Sequence, residues 1–187
     1  MIRIAVFASG NGSNFEAIVR QATQYEVAIL IVDKQDAFAL ERADKLRIPA
    51  RCFDPADYPN KNAYERAILD RLRAYDVSWI ALAGYMRLCG SVLLDAYPGH
   101  ILNIHPALLP AFPGKGAIHQ AVAKGVKVTG VTIHLVDSGM DTGKIIAQVP
   151  YCIPEGADED QIQSGIQTIE HELYPQTIAK LIKEESR

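Results

Sequence analysis

The sequence predicts an open α/β sheet, parallel in its first part and mixed or antiparallel at its end, with helices on both faces. Three observations lead there. Four short runs, at residues 2–8, 27–32, 77–83 and 101–104, are almost wholly apolar, as strands buried on both faces are. Longer segments with helical spacing separate them, and such alternation implies a parallel sheet. Late in the chain, strand-like runs at 128–136 and 144–153 are joined only by "DSGMDTG", a link short enough for antiparallel neighbours.

The elements follow in order. Strand 2–8 runs into Gly10 and Gly12, which turn the chain into a helix over 14–22 that Ser13 or Asn14 can cap. After strand 27–32, a helix is expected over 37–46 with Asp36 as its N-cap, then another over 62–74. Strand 77–83 precedes "GYMRLC". In the stretch after Ile101 and Leu102, side chains alternate, so Asn103 and His105 share one face while Ile104 takes the other. Pro106 ends that strand, and Pro110 and Pro113 stiffen a long loop. The last element, 158–185, reads as a long helix that Pro175 should kink or restart.

Composition narrows the function classes. At 187 residues and 49% hydrophobic content, the expectation is one domain, residues 1–187, with a full core. A net charge of −3 without a long basic run speaks against nucleic-acid or acidic-membrane partners. Cys52, Cys89 and Cys152 are odd in number and lack a CxxC spacing, which fits reduced thiols in a cytoplasm better than a disulfide framework. The N-terminus does not read as a signal peptide, and no apolar run is long enough to span a bilayer.

The chemistry-bearing positions are few. The "SGNGSN" turn places backbone N–H groups and a helix dipole where an anion can sit, although a plain strand-to-helix turn has the same glycines. A dinucleotide loop would use Gly10, Gly12 and Asp33, but Phe15 stands where its third glycine belongs. No GxxxxGK[ST], HExxH or GxSxG occurs, so a P-loop, a zinc site and a serine nucleophile elbow are not expected. Asn103 and His105 remain, either as a catalytic pair or as a satisfied strand end, with Asp141 on its glycine-flanked loop the candidate acid. His134 reads as a satisfied core histidine or one that supports the site from behind.

Five stretches, "ASGNGSN", "LAGYMRL", "NIHPALLPAFPG", "TIHLVDSGMDTG" and "IQTIEHELYP", resemble in content and order the glycinamide ribonucleotide formyltransferases, folate-dependent enzymes of purine synthesis with a Rossmann-like sheet. The resemblance implies transfer of the formyl group of 10-formyltetrahydrofolate to the amine of phosphoribosylglycinamide, without a metal. It implies Asn103, His105 and Asp141 as the catalytic set. Gly12, Ser13 and Asn14 would cradle the phosphate, with Gln167 and Glu170 holding the ribose and glycinamide. The folate cleft would be lined by Lys61, Met86, Arg87, Leu88, Cys89, Asn103 and the loop Asp137, Ser138, Gly139, Met140, Asp141.

Departures are confined to Ala107, where serine is usual, to Ala111, where serine or lysine is common, to Cys89 in place of an aliphatic residue, and to a shorter tail. A formyl-folate hydrolase built on the same core is the alternative; such enzymes generally carry an extra N-terminal regulatory domain, and this sequence starts directly at its first strand-like run, so transfer is the expectation. A methionyl-tRNA formyltransferase would need a further C-terminal domain and a basic surface. Monomer and homodimer both remain open.

Overall fold

The computed structural model describes residues 1–185. Its strands are β1 (Ile2–Ala8), β2 (Tyr25–Val32), β3 (Ala50–Cys52), β4 (Trp79–Leu82), β5 (Ile101–His105), β6 (Val128–Leu135) and β7 (Ile145–Cys152). The helices are α1 (Ser13–Arg20), α2 (Ala39–Leu46), α3 (Lys61–Ala74), α4 (Ser91–Ala96), α5 (Ala117–Lys124) and α6 (Glu159–Glu185). Among the described residues these strands form one sheet in the order β3-β2-β1-β4-β5-β6-β7, which leaves it open. β1 to β5 pair in parallel, while β5–β6 and β6–β7 are antiparallel. The expected mixed architecture is therefore present.

Alternation along β1 explains why both faces are covered. Ile4, Val6 and Ala8 point into a core shared with α1, α2 and α6, whereas Ala5 and Phe7 point into one shared with α3 and α4. β1 has β2 on one side and β4 on the other, so the connections diverge there and open a crevice beyond the carboxyl ends of the strands. The glycine turn, the segment after β4 and the end of β5 all lie at that rim.

Three local expectations need correction. Helix α2 starts at Ala39, and its N-cap is Phe38 with no side-chain bond; Asp36 sits in a preceding turn closed by the Ala37 N–H on the Lys34 carbonyl. Helix α1 is capped by Gly12 in the left-handed region, φ 75°, not by Ser13 or Asn14, because only a glycine enters that conformation without cost. Helix α6 runs through Pro175 without interruption. Proline removes the N–H that would bond the carbonyl four residues back, and that carbonyl, on His171, instead accepts the Gln21 side-chain amide at 2.8 Å. The short elements β3, α4 and α5 had no periodicity strong enough to announce them.

Candidate active site

The strand β5 ends with Asn103 and His105, and β6 runs beside it in the register Asn103↔His134 and His105↔Thr132. The β6–β7 loop then carries Asp141 back over that end with φ 55°. Its carboxylate collects four groups. Oδ2 accepts the Gly114 N–H at 2.8 Å and faces His105 Nδ1 at 3.4 Å. Oδ1 lies 3.5 Å from Asn103 Nδ2 and 3.5 Å from His134 Nε2. The structure thus brings Asn103, His105 and Asp141 together, and adds His134.

Hydrogen-bond chemistry fixes the protons on the two rings. His134 Nδ1 is 2.8 Å from the Leu135 carbonyl, which can only accept, so Nδ1 carries hydrogen. The neutral ring then offers its Nε2 lone pair to the Asn103 amide at 3.1 Å. One Asn103 N–H is held there; the other has only the long contact to Asp141, outside ordinary hydrogen-bond range. His105 Nε2–H donates to the Phe112 carbonyl at 2.8 Å, which leaves Nδ1 turned to the carboxylate.

The loop after β5 is anchored from behind. Fully buried Thr132 donates to the Ala107 carbonyl at 2.7 Å and accepts from the Leu109 N–H at 3.0 Å and from Gln148 Nε2 at 3.0 Å. These bonds use backbone and β6–β7 side chains, so the alanines at 107 and 111 remove nothing from them. Thr132 and Gln148 do not stand out in the sequence, while His134 takes the supporting place that is one of its two readings there. Period-two alternation puts Thr132 and His134 on one face of β6, but that signal needs the β5 pairing before it means anything.

At the glycine turn, Asn14 Nδ2 donates to Glu170 Oε2 at 2.9 Å, joining α1 to α6. Burial pushes the Glu170 carboxyl up, and the Asn14 bond offsets this only in part. Gln167, one turn earlier on α6, is half-buried and is not tied to Asn14. Phe15 is fully buried in the core below, and Asp33 is paired with Arg87 at 3.0 Å, so neither serves a dinucleotide.

Beyond β4, residues 86–89 line a cavity of about 400 Å³ together with Lys61, Tyr64 and Glu65. Ser9 Oγ accepts the Met86 N–H at 2.9 Å. Arg87 is held by Asp33 on one side and lies 6.0 Å from the centre of the Tyr64 ring. Met86 and Leu88, which line this cavity, are large apolar side chains left more than half exposed, as is Met140 on the β6–β7 loop. Cys89 is buried, and that burial pushes its thiol up to about 12, so it packs as a hydrophobe. Lys61 is 4.0 Å from Glu65 and half exposed. In the β6–β7 loop, Asp137 Oδ1 accepts from the Thr142 hydroxyl at 2.7 Å and the Gly139 N–H at 3.0 Å; Ser138 is exposed. Among the described residues, no group of three His, Cys, Asp or Glu side chains could hold a metal ion, and no helix is long and apolar enough to cross a membrane.

Residues 2–178 match the formyl transferase family. The chain belongs to that family. This formyl transferase is 52% identical over 186 residues to phosphoribosylglycinamide formyltransferase of Bacillus subtilis (strain 168), covering 97% of this chain and 95% of that protein. Its fold superposes on the crystal structure of phosphoribosylglycinamide formyltransferase from Bacillus halodurans with a TM-score of 0.94 at 50% identity, covering 98% and 96% of the two chains. Glycinamide ribonucleotide transformylase 1 from Geobacillus kaustophilus gives a TM-score of 0.94 at 52% identity, covering 97% of this formyl transferase and 99% of that chain.

Proposed function

We propose that this formyl transferase moves the formyl group of 10-formyltetrahydrofolate onto the amine of phosphoribosylglycinamide, giving the formylated ribonucleotide and tetrahydrofolate, as in de novo purine synthesis. The observation that carries the reading is the gathering of Asn103, His105 and His134 on the single carboxylate of Asp141, in a chain so similar to relatives of that name.

In the transfer, the amine nitrogen bonds to the formyl carbon and the carbonyl electrons move onto oxygen. The C–N10 bond then breaks, the amine loses a proton and N10 gains one. Asn103 Nδ2, with one N–H fixed on His134, gives its second to the oxyanion; losing such a donor costs about 2.7–4 kcal/mol. His105 exchanges the Phe112 carbonyl for substrate and donates the proton needed at N10. Catalytic hydrogen bonds often tighten only around substrate. Asp141 stabilises the imidazolium and accepts the amine proton through a water.

Substrate placement follows the rim of the sheet. The N–H groups of Gly12, Ser13 and Asn14 face the ribonucleotide phosphate, and Glu170 with Gln167 takes the ribose and glycinamide. The cavity beside residues 86–89 takes the folate, with Lys61 toward its acidic tail and residues 137–140 closing over the pterin. Three free cysteines support a reducing, cytoplasmic setting.

Ultraviolet detection of the folate product, with and without phosphoribosylglycinamide, tests the reading. Turnover that depends on the amine is expected. Equal turnover in its absence would assign the site to hydrolysis of formyl-folate instead.

A further inference from the structure

The glycine turn does not hold its own shape; α2 holds it. Ala39 N–H donates to the Gly10 carbonyl at 3.0 Å, and a Cβ placed on Gly12 would lie 2.6 Å from Ala39 Cβ. One turn along α2, Arg42 reaches the same loop. Its Nε donates to the Asn11 carbonyl at 2.8 Å and its Nη2 to Asn11 Oδ1 at 2.9 Å. Its Nη1 binds Glu16 on α1, and the Phe38 ring lies 5.1 Å below the guanidinium carbon. The fork is therefore oriented on three sides, and its contacts to Asn11 grip the one residue between the two loop glycines.

We propose that Arg42 is a positioning residue for the ribonucleotide phosphate: by clamping Asn11 it presents the N–H groups of Gly12, Ser13 and Asn14 in a fixed array. The proposal rests on the phosphate-cradle reading above. Gly10 and Gly12 leave the loop with wide backbone freedom, and an unclamped loop would have to lose that freedom on each binding event. The Arg42 side chain is only 23% exposed and its charge is already paired with Glu16, so its part in binding is to hold the loop. A purely structural tie between α1 and α2 would act on stability alone.

The test measures KM and kcat with phosphoribosylglycinamide and with the unphosphorylated glycinamide riboside. Arg42→Met should raise KM for the phosphorylated acceptor about ten- to a hundredfold, the size of lost charge-assisted bonds. Folate KM, kcat and the KM for the riboside should stay near their starting values. Arg42→Lys keeps the charge and loses the fork, so it should still raise KM several-fold. Equal losses with both acceptors, a lowered melting temperature alone, or full rescue by lysine would each overturn the clamp. Asn11→Ala, which removes only the Oδ1 partner, gives the same reading in smaller measure should the Arg42 variants not fold. Ser13→Pro deletes one cradle N–H at the first position of α1 and, because a residue before proline avoids helical ψ, also disturbs Gly12 at its ψ of 21°. If Ser13→Pro raises KM for the phosphorylated acceptor and Arg42→Met does not, only the clamp fails. If neither does, the cradle fails as well.

Discussion

Asp141→Asn isolates the charge of the carboxylate from its geometry. Asp141 sits at φ 55°, a conformation asparagine tolerates and alanine does not favour, so the backbone should stay in place. The amide oxygen of asparagine can still accept the Gly114 N–H that Oδ2 now holds at 2.8 Å. What disappears is the attraction between carboxylate and imidazolium across 3.4 Å. At an effective dielectric of about 20 that attraction is about 5 kcal/mol. At about 1.4 kcal/mol per tenfold in rate, this sets an upper bound of roughly 10³–10⁴ on the loss. We expect kcat to fall by about 10³, with the folate dissociation constant within about twofold. Stopped-flow absorbance gives the rate, and fluorescence titration with a folate analogue gives the affinity. A kcat within about tenfold of the parent, with affinity intact, would refute the reasoning that this charge backs His105 in the chemical step.

Other consequences are as concrete. His134→Phe keeps a planar ring, somewhat larger than the imidazole, but removes both the acceptor that holds Asn103 and the donor on the Leu135 carbonyl, so kcat should drop about ten- to a hundredfold with folate affinity nearly unchanged; an unaltered kcat would mean the amide is oriented by other groups. Glu170 titrates above the ordinary glutamate range because it is buried, so the ionised form is lost early as pH falls. KM for the ribonucleotide should rise on acidification through that raised value, and Glu170→Gln should flatten the profile; a profile unchanged by the substitution would remove Glu170 from the acceptor site. His100 donates from Nε2 to Glu185 at 2.7 Å and from Nδ1 to the Pro98 carbonyl at 2.8 Å, which requires both nitrogens protonated. Burial opposes this, but the Glu185 and Pro98 bonds hold the imidazole above its ordinary value, while His100 and Trp79 hold Glu185 below its own. The His100 contribution is full below about 6.5 and lost as pH rises through the raised value; the Glu185 contribution is full above about 4.5 and lost as pH falls through the lowered one. Protection of the amides in the last turn of α6, taken relative to their intrinsic base-catalysed exchange rates, should fall toward alkaline pH, and His100→Ala should abolish that fall.

Much of the parallel part was readable because doubly buried strands carry an unbroken apolar signal that needs no partner to interpret. Residues 2–8 and 27–32 announce β1 and β2 within two residues at each end. The failures share one cause, a tertiary contact supplying what local sequence lacks. Gln21 satisfies the carbonyl freed by Pro175 and so lets α6 continue. Ala39 and Arg42 shape the glycine turn from a neighbouring helix, and neither advertises itself in its own segment. His134 illustrates the same limit at the site: its alternation was visible, its partner across the sheet was not.

The antiparallel reversal after β5 is what makes this site possible on an otherwise parallel sheet. In a parallel neighbour the next strand would leave the rim and return only after a crossover, so its own end would contribute one loop there. Here β6 passes beside β5 in the opposite direction, which sets His134 directly opposite Asn103 and Thr132 opposite His105. The turn that follows stays at the rim and folds Asp141 onto the same two positions. Two adjacent strands and the turn after them thus deliver an amide, two imidazoles and a carboxylate to one point; the imidazoles and the carboxylate are oriented by backbone groups of Leu135, Phe112 and Gly114, and the Asn103 amide by the His134 ring. Because the two imidazoles and the carboxylate are anchored on main chain, removing Asn103 leaves those three aimed, whereas removing His134 also frees the Asn103 amide that its Nε2 holds.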